Sequence, residues 1–262
     1  YQYKPVVVYQ PGGQRGYMRD LDFENIEEAD PPGVLIAYWK FDEGSPEEST
    51  VGDSAGSYDG SMINFNQQSA WQAPAPGIQF TNPYSLSFDG NEGRYVDAGD
   101  VTELNDAQYF TMAAWMKRGT ANSGLVMGKT GGTDGVGVTF GSFNTPYFYV
   151  RVANEIGIGN AGYGSFYDPD GDAWHHYAVV YDGTQTGNEN RLKVYKDGVQ
   201  QTLDFEENTV PDRTPDLTDT SFEIGGSLGE NYSTGFIDDV RIYSRALFSS
   251  EIASLAAGND VQ

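Results

Sequence analysis

The sequence predicts an all-β chain, folded as a two-sheet antiparallel sandwich behind an extended N-terminal arm. Three observations carry this expectation. Apolar and polar residues alternate along many short segments, as at Phe236-Ile237-Asp238-Asp239-Val240-Arg241-Ile242-Tyr243, which is the pattern of a half-buried strand. Turn dipeptides such as Asp182-Gly183 and Asp197-Gly198 separate such segments at even spacing. Long helical periodicity is nearly absent, and 33 glycines, 18 tyrosines and 14 phenylalanines suit strands joined by tight turns.

Residues 1–33 read as arm and linker, and residues 34–262 as the sandwich. Tyr1-Gln2-Tyr3-Lys4-Pro5-Val6-Val7-Val8-Tyr9 is β-prone, with Pro5 favouring a sheet edge. Pro11-Gly12-Gly13 ends it, residues 20–28 are acidic, and Asp30-Pro31-Pro32-Gly33 has linker composition. Residues 34–39 then read as a buried strand. Residues 85–88 and 95–96 flank the turn Asp89-Gly90-Asn91, and 110–117 form a long central strand. Strands at 124–129, 136–140, 147–152, 174–181, 191–195 and 222–225 lead to the closing strand at 236–243. Ser244-Arg245-Ala246-Leu247 and Glu251-Ile252 read as a short terminal helix or turn. Two long polar loops, 183–190 and 205–220, are places where a sandwich carries function.

A chain of 262 residues accommodates one large β-domain, or one domain plus an arm. Its net charge of −23, from 38 acidic and 15 basic residues, argues against nucleic acid and anionic membrane as partners, because both require a basic footprint. It favours divalent cations, or is simply a solvated acidic surface. With no cysteine there is no disulfide, no thiol nucleophile and no cysteine metal site. No run of 18 apolar residues occurs, so no membrane insertion is expected.

Seven segments extend the pattern. They are Tyr38-Trp39-Lys40-Phe41-Asp42-Glu43-Gly44, Asp53-Ser54-Ala55-Gly56 with Tyr58-Asp59-Gly60, Leu86-Ser87-Phe88-Asp89-Gly90, Phe110-Thr111 with Trp115-Met116-Lys117, Trp174-His175-His176-Tyr177-Ala178-Val179, Tyr195-Lys196-Asp197-Gly198, and Ile237-Asp238-Asp239-Val240-Arg241. In this order, over about 34–255, the chain resembles the laminin-G-like jelly-roll family of concanavalin A-like sandwiches. The resemblance implies a jelly roll at the cell surface or outside the cell that recognises, adheres or assembles. It also implies a structural Ca²⁺ between the first strand, an early turn and the closing strand. Carried over, that site comprises Asp42 and Asp238 with backbone carbonyls near Asp89 and Gly90; Ca²⁺ takes six to eight oxygens. The alternative makes Asp42 and Asp238 turn or edge carboxylates, one of them paired with Arg241.

A weaker calcium candidate is Asp168-Pro169-Asp170-Gly171-Asp172, whose alternating aspartates Asp168, Asp170 and Asp172 surround a glycine. The twelfth position is Val179 rather than Glu, so an acidic turn is the competing reading. Related sandwich glycosidases carry two glutamates flanking an aspartate on one strand; no strand here has that spacing, and a non-catalytic protein is expected. His175 and His176 are adjacent, so on a strand they point to opposite faces and read as structural. Trp39, Trp115 and Trp174 read as core. Tyr147, Tyr163, Phe166, Tyr167 and Tyr232 are candidates to stack on sugar rings, or else fill sheet faces. The arm residues Tyr1, Tyr3, Val6, Val7, Val8 and Tyr9 either pack on their own sandwich or add a strand to a neighbouring copy, which would give filaments. Two functions follow as expectations. One is an extracellular module binding a glycan or a cell-surface or matrix ligand with calcium support. The other is a self-assembling subunit of a filament or surface layer.

Overall fold

The structure is a computed structural model. It describes residues 35–45, 47–66, 70–75, 77–90, 93–119, 124–130, 137–144, 147–153, 163–169, 173–205, 209–226 and 232–261, with the backbone alone for 142–144 and 163. All fall in the second of the chain's two units, Gly33–Gln262. The expectations for Tyr1, Tyr3, Val6, Val7, Val8, Tyr9, Asp170 and Asp172 lie outside the described residues.

Sixteen strands are found among the described residues: β1 (Leu35–Trp39), β2 (Thr50–Val51), β3 (Gly60–Ile63), β4 (Trp71–Gln72), β5 (Ser85–Asp89), β6 (Tyr95–Asp97), β7 (Tyr109–Arg118), β8 (Leu125–Thr130), β9 (Gly137–Asn144), β10 (Tyr147–Ala153), β11 (Tyr163–Tyr167), β12 (Trp174–Asp182), β13 (Leu192–Lys196), β14 (Val199–Gln200), β15 (Phe222–Ile224) and β16 (Thr234–Tyr243). They make two antiparallel eight-stranded sheets, the jelly-roll sandwich that the sequence predicts. One sheet runs β14-β13-β12-β7-β16-β5-β4, with β1 also beside β16; the other runs β11-β10-β9-β8-β15-β6-β3-β2.

The alternation explains the core. Phe148 on β10 is buried and stacks on Phe140 and Phe166 of its own sheet and on Tyr177 of the facing one. Trp39 is buried and stacks on Phe222 at 5.8 Å. Trp115 is buried as well, with His176 edge-on at 5.5 Å. Trp174 departs from expectation. At the first position of β12 it is half-buried and packs near Phe236, in the row of Lys117. The terminal helix is present as Ser249–Ala256, with Ile252 and Leu255 buried. The predicted loop 183–190 ends in a helical turn, Asn188–Arg191.

Candidate functional site

Strand β16 changes partners midway along one edge. Its residues Thr234 to Ile237 pair with β5, and Val240 to Tyr243 pair with β1. Asp238 and Asp239 occupy the step between them. On the other edge the register against β7 shifts between Asp238 and Arg241, and Asp239 takes a left-handed φ of 49°. Successive residues of a regular strand point to opposite faces. This irregularity instead leaves both carboxyls buried.

Side chains and loops replace the missing strand. Asp238 Oδ2 accepts the Ala75 N–H at 2.8 Å and Asn82 Nδ2 at 3.0 Å. Asp239 accepts the Tyr38 hydroxyl and lies 3.8 Å from Arg241. Asp42, just after left-handed Phe41, accepts the Tyr84 N–H at 3.4 Å. The segment 82–84 therefore touches both Asp42 and Asp238.

The electrostatics are unfavourable for anions. Burial, then the Asp239 charge, pushes Asp238 up to about 8, with Asp42 adding to it. Burial pushes Asp42 up to about 6, with Asp239 and Glu43 adding. Burial also raises Asp239, against the pull of Arg241. Two buried acceptors here, Asn82 Oδ1 and Asp239 Oδ2, lack a hydrogen-bond donor. Among the described residues no three carboxylate or imidazole side chains converge closely enough to hold a metal by themselves. A cation would therefore take further oxygens from Asn82 and from backbone carbonyls.

Asp89 and Gly90 are not part of this cluster. Asp89 sits opposite Thr234 and pairs with Arg94 at 3.0 Å. Four strand positions separate Thr234 from Asp238, on the order of 13 Å. Asp168 is buried elsewhere and committed. Its carboxylate accepts the Tyr177 hydroxyl at 2.6 Å and Lys196 Nζ at 2.7 Å.

The five candidate aromatics also separate. Tyr147 and Tyr167 are register partners across β10 and β11, 43% and 60% exposed, with ring centroids 5.3 Å apart and nearly perpendicular. Phe166, between two outward positions, points into the core against Phe148 and cannot stack on a ligand. Tyr232 is half-buried beside Tyr95. Of Tyr163 only the backbone is described. His176 is buried, and His175 pairs with Asp197 at 2.7 Å.

A laminin G family model, described as the concanavalin A-like lectin/glucanases superfamily, matches residues 89–253. The chain belongs to this superfamily. Among curated proteins, none matches it. Solved structures with the same fold include the receptor-binding domain of botulinum neurotoxin D (12% identity, TM-score 0.56, 86% of this chain and 52% of that one). A second is Trypanosoma rangeli sialidase with 2,3-difluorosialic acid (16%, 0.54, 87% and 33%). A third is domain 4 of AbnA, a GH43 extracellular arabinanase of Geobacillus stearothermophilus, with arabinotriose (18%, 0.51, 86% and 98%). The chain thus spans about half of the toxin domain and a third of the sialidase.

Two features of this laminin-G domain escape sequence reasoning. Lys129 on β8 is fully buried. It donates to the Asp100 carboxylate, to Asn105 Oδ1 at 2.6 Å and to the Val101 carbonyl at 3.2 Å. The apolar run ahead of it, Leu125-Val126-Met127, is the only local signal. The second is a cleft of about 260 Å³ beside β13 and β14, lined in part by Glu189, Gln200, Gln201 and Phe205.

Proposed function

We propose that this laminin-G domain is an extracellular, non-catalytic recognition or adhesion module that takes a glycan or another surface ligand on an aromatic face, with calcium supporting the fold. The observation that carries the reading is the exposed Tyr147–Tyr167 pair. Two large rings left in water at a sheet edge offer flat apolar faces with hydroxyl tips, the combination that stacks on sugar rings. The fold neighbours include a receptor-binding domain and a domain solved with arabinotriose, which fits this reading. The carboxylates Asp168, Asp238 and Asp239 are buried rather than presented to a bound sugar, which favours a role other than glycoside hydrolysis.

The acidic cluster fits Ca²⁺ in its chemistry. It holds hard oxygen donors, buried acceptors without donors, and carboxyls raised by burial and then by one another's charge. Asp42, Asp238, Asp239 and Asn82 would hold the ion. It would neutralise them and fix the loop before β5 to the closing strand. The test is a glycan array with calcium and with chelator, on wild type, Tyr147→Ala and Tyr167→Ala. Binding by wild type that both substitutions abolish is expected; binding indifferent to them overturns the assignment.

A further inference from the structure

We propose that the cleft beside β14 is a subsite for one uncharged sugar unit, so that the ligand is a neutral oligosaccharide. This rests on the glycan reading above and names its ligand class and second contact.

The cleft is made by a crossing of the chain. After β14 the backbone leaves the first sheet and reaches the free edge of the second, where Asp204 and Ser165 exchange two backbone hydrogen bonds of 2.8 and 2.9 Å. Beneath the crossing lies a cleft of about 260 Å³. This is slightly below the ~300 Å³ at which pockets for drug-sized ligands begin, a size that suits a single ring.

Its lining has two characters. Leu192, Leu203 and Phe205 supply apolar surface, and Leu192 and Phe205 belong to or pack on the main core. Gln200, Gln201 and Glu189 supply carboxamides and a carboxylate. A pyranose has the complementary division, a C–H face for the aromatic ring and hydroxyls for planar amide and carboxylate groups. Part of each amide is already used: Gln201 Nε2 donates to the Val199 carbonyl, and Gln200 Oε1 accepts the Tyr195 hydroxyl. That leaves Gln201 Oε1 as acceptor and Gln200 Nε2 as donor for a ligand.

Charge selects the sugar class. Among the described residues no lysine or arginine lines the cleft, while Glu189 does. Nearby Arg191 is committed to the Gln185 and Val210 carbonyls. A sialic or uronic acid would place a carboxylate against Glu189, in a chain of net charge −23. An uncharged sugar meets no such repulsion.

The crossing is short. Gln201 N–H still bonds the Val194 carbonyl of the first sheet at 2.8 Å, and three residues later Asp204 meets Ser165 of β11 in the second. The cleft residues 200–203 therefore lie where the chain passes from one sheet to the other.

The experiment is titration calorimetry of the full chain with neutral gluco-, xylo- and arabino-oligosaccharides and with sialylated and uronic ones, for wild type, Gln200→Ala, Gln201→Ala and Tyr167→Ala. Melting temperatures of the two glutamine variants control for folding. Neutral oligosaccharides should bind, and each glutamine substitution should weaken binding up to tenfold or so, the value of one polar contact. Binding lost with Tyr167→Ala but unchanged with both glutamine variants overturns the cleft and leaves the glycan reading standing. Preference for sialylated or uronic ligands overturns the neutral class. No binding of any glycan by wild type overturns the glycan reading itself, and the cleft with it.

Discussion

Lys129→Met tests the packing of this sandwich most directly. The substitution keeps the length of the side chain and removes its charge. Lys129 is wholly buried, while the side chain of Asp100 keeps 24% of its exposure. Breaking a buried ion pair from one side costs about 3–5 kcal/mol, because the partner charge stays behind. Water still reaches Asp100, so the low end, ~3 kcal/mol, applies here. Val101 O and Asn105 Oδ1 also lose a donor each. For a domain near this size the melting temperature should fall about 6–12 °C. The pH dependence has a definite sign. Burial pushes Asp100 up, but the bond from Lys129, the Asp219 N–H and the Lys129 charge together hold it below the ordinary carboxylate range. A lowered folded value means that the pair stabilises the fold above the unfolded value of about 4 and loses that contribution as pH falls through the folded value. Urea unfolding of wild type and mutant should therefore converge in acid and diverge toward neutrality. Adding Asp100→Asn should recover about 1 kcal/mol or more of the single-mutant loss. A Lys129→Met protein within ~0.5 kcal/mol of wild type at pH 7, the range of an ordinary surface substitution, would refute the reasoning.

Three further outcomes are expected. Calcium should raise the melting temperature of chelator-treated protein, and Asp238→Asn should abolish the rise, since the isosteric amide removes the charge an ion needs; calorimetry showing undiminished calcium binding by that variant would count against the site. Tyr167→Ala should leave stability within ~0.5 kcal/mol of wild type while Phe166→Ala costs about 3–5 kcal/mol, a contrast between neighbouring residues that thermal melts can read. Burial and the Arg241 charge hold His176 neutral down to about 3; a folded value below the unfolded ~6.5 means stability is complete above that pH and erodes below it as the unfolded chain binds the proton, so His176→Gln should flatten the decline between pH 6.5 and 4 in acid melts.

Strand content was legible because alternation is a local property. The central expectations, 110–117, 174–181 and 236–243, lie within β7, β12 and β16. Phe166 was separable from Tyr167 by the same rule, once 163–167 is read as a strand. The acid cluster was only half legible. Asp42 and Asp238 do meet at the segment 82–84, but a regular strand would have sent Asp239 to the opposite face. Its burial depends on β16 losing β5 and gaining β1, which involves residues about 150 to 200 positions away in sequence. Asp89 and Gly90 were placed at the site by the resemblance alone, whereas register sets where that turn lies, opposite Thr234. Lys129 was illegible because a lysine after an apolar run reads as a strand end. Its acceptors come from the segment following β6, brought there by sheet pairing.

The acidic excess does not constrain all candidate ligands equally. At physiological salt, charges more than ~8 Å apart are largely screened, so the net charge cannot by itself select a ligand at a given cleft. Selection falls to the near groups, and these point in two directions. At the step in β16 three carboxyls face two cations: Arg241, which is already bound to the Tyr38 hydroxyl at 2.7 Å and lies 3.5 Å from Asp260, and Lys40, which pulls on Asp42 and Asp239. That imbalance calls for a cation. At the β14 cleft one carboxylate among the described residues stands beside amides and apolar surface, an imbalance too small to recruit a metal and large enough to repel an acid sugar. The two sites should therefore respond differently to salt. Calcium affinity should fall as ionic strength rises, while binding of an uncharged sugar should be nearly insensitive to it. If sugar affinity fell with salt as steeply as calcium affinity, the ligand would be charged or the ion would be part of its site, and the separation of the two would be wrong.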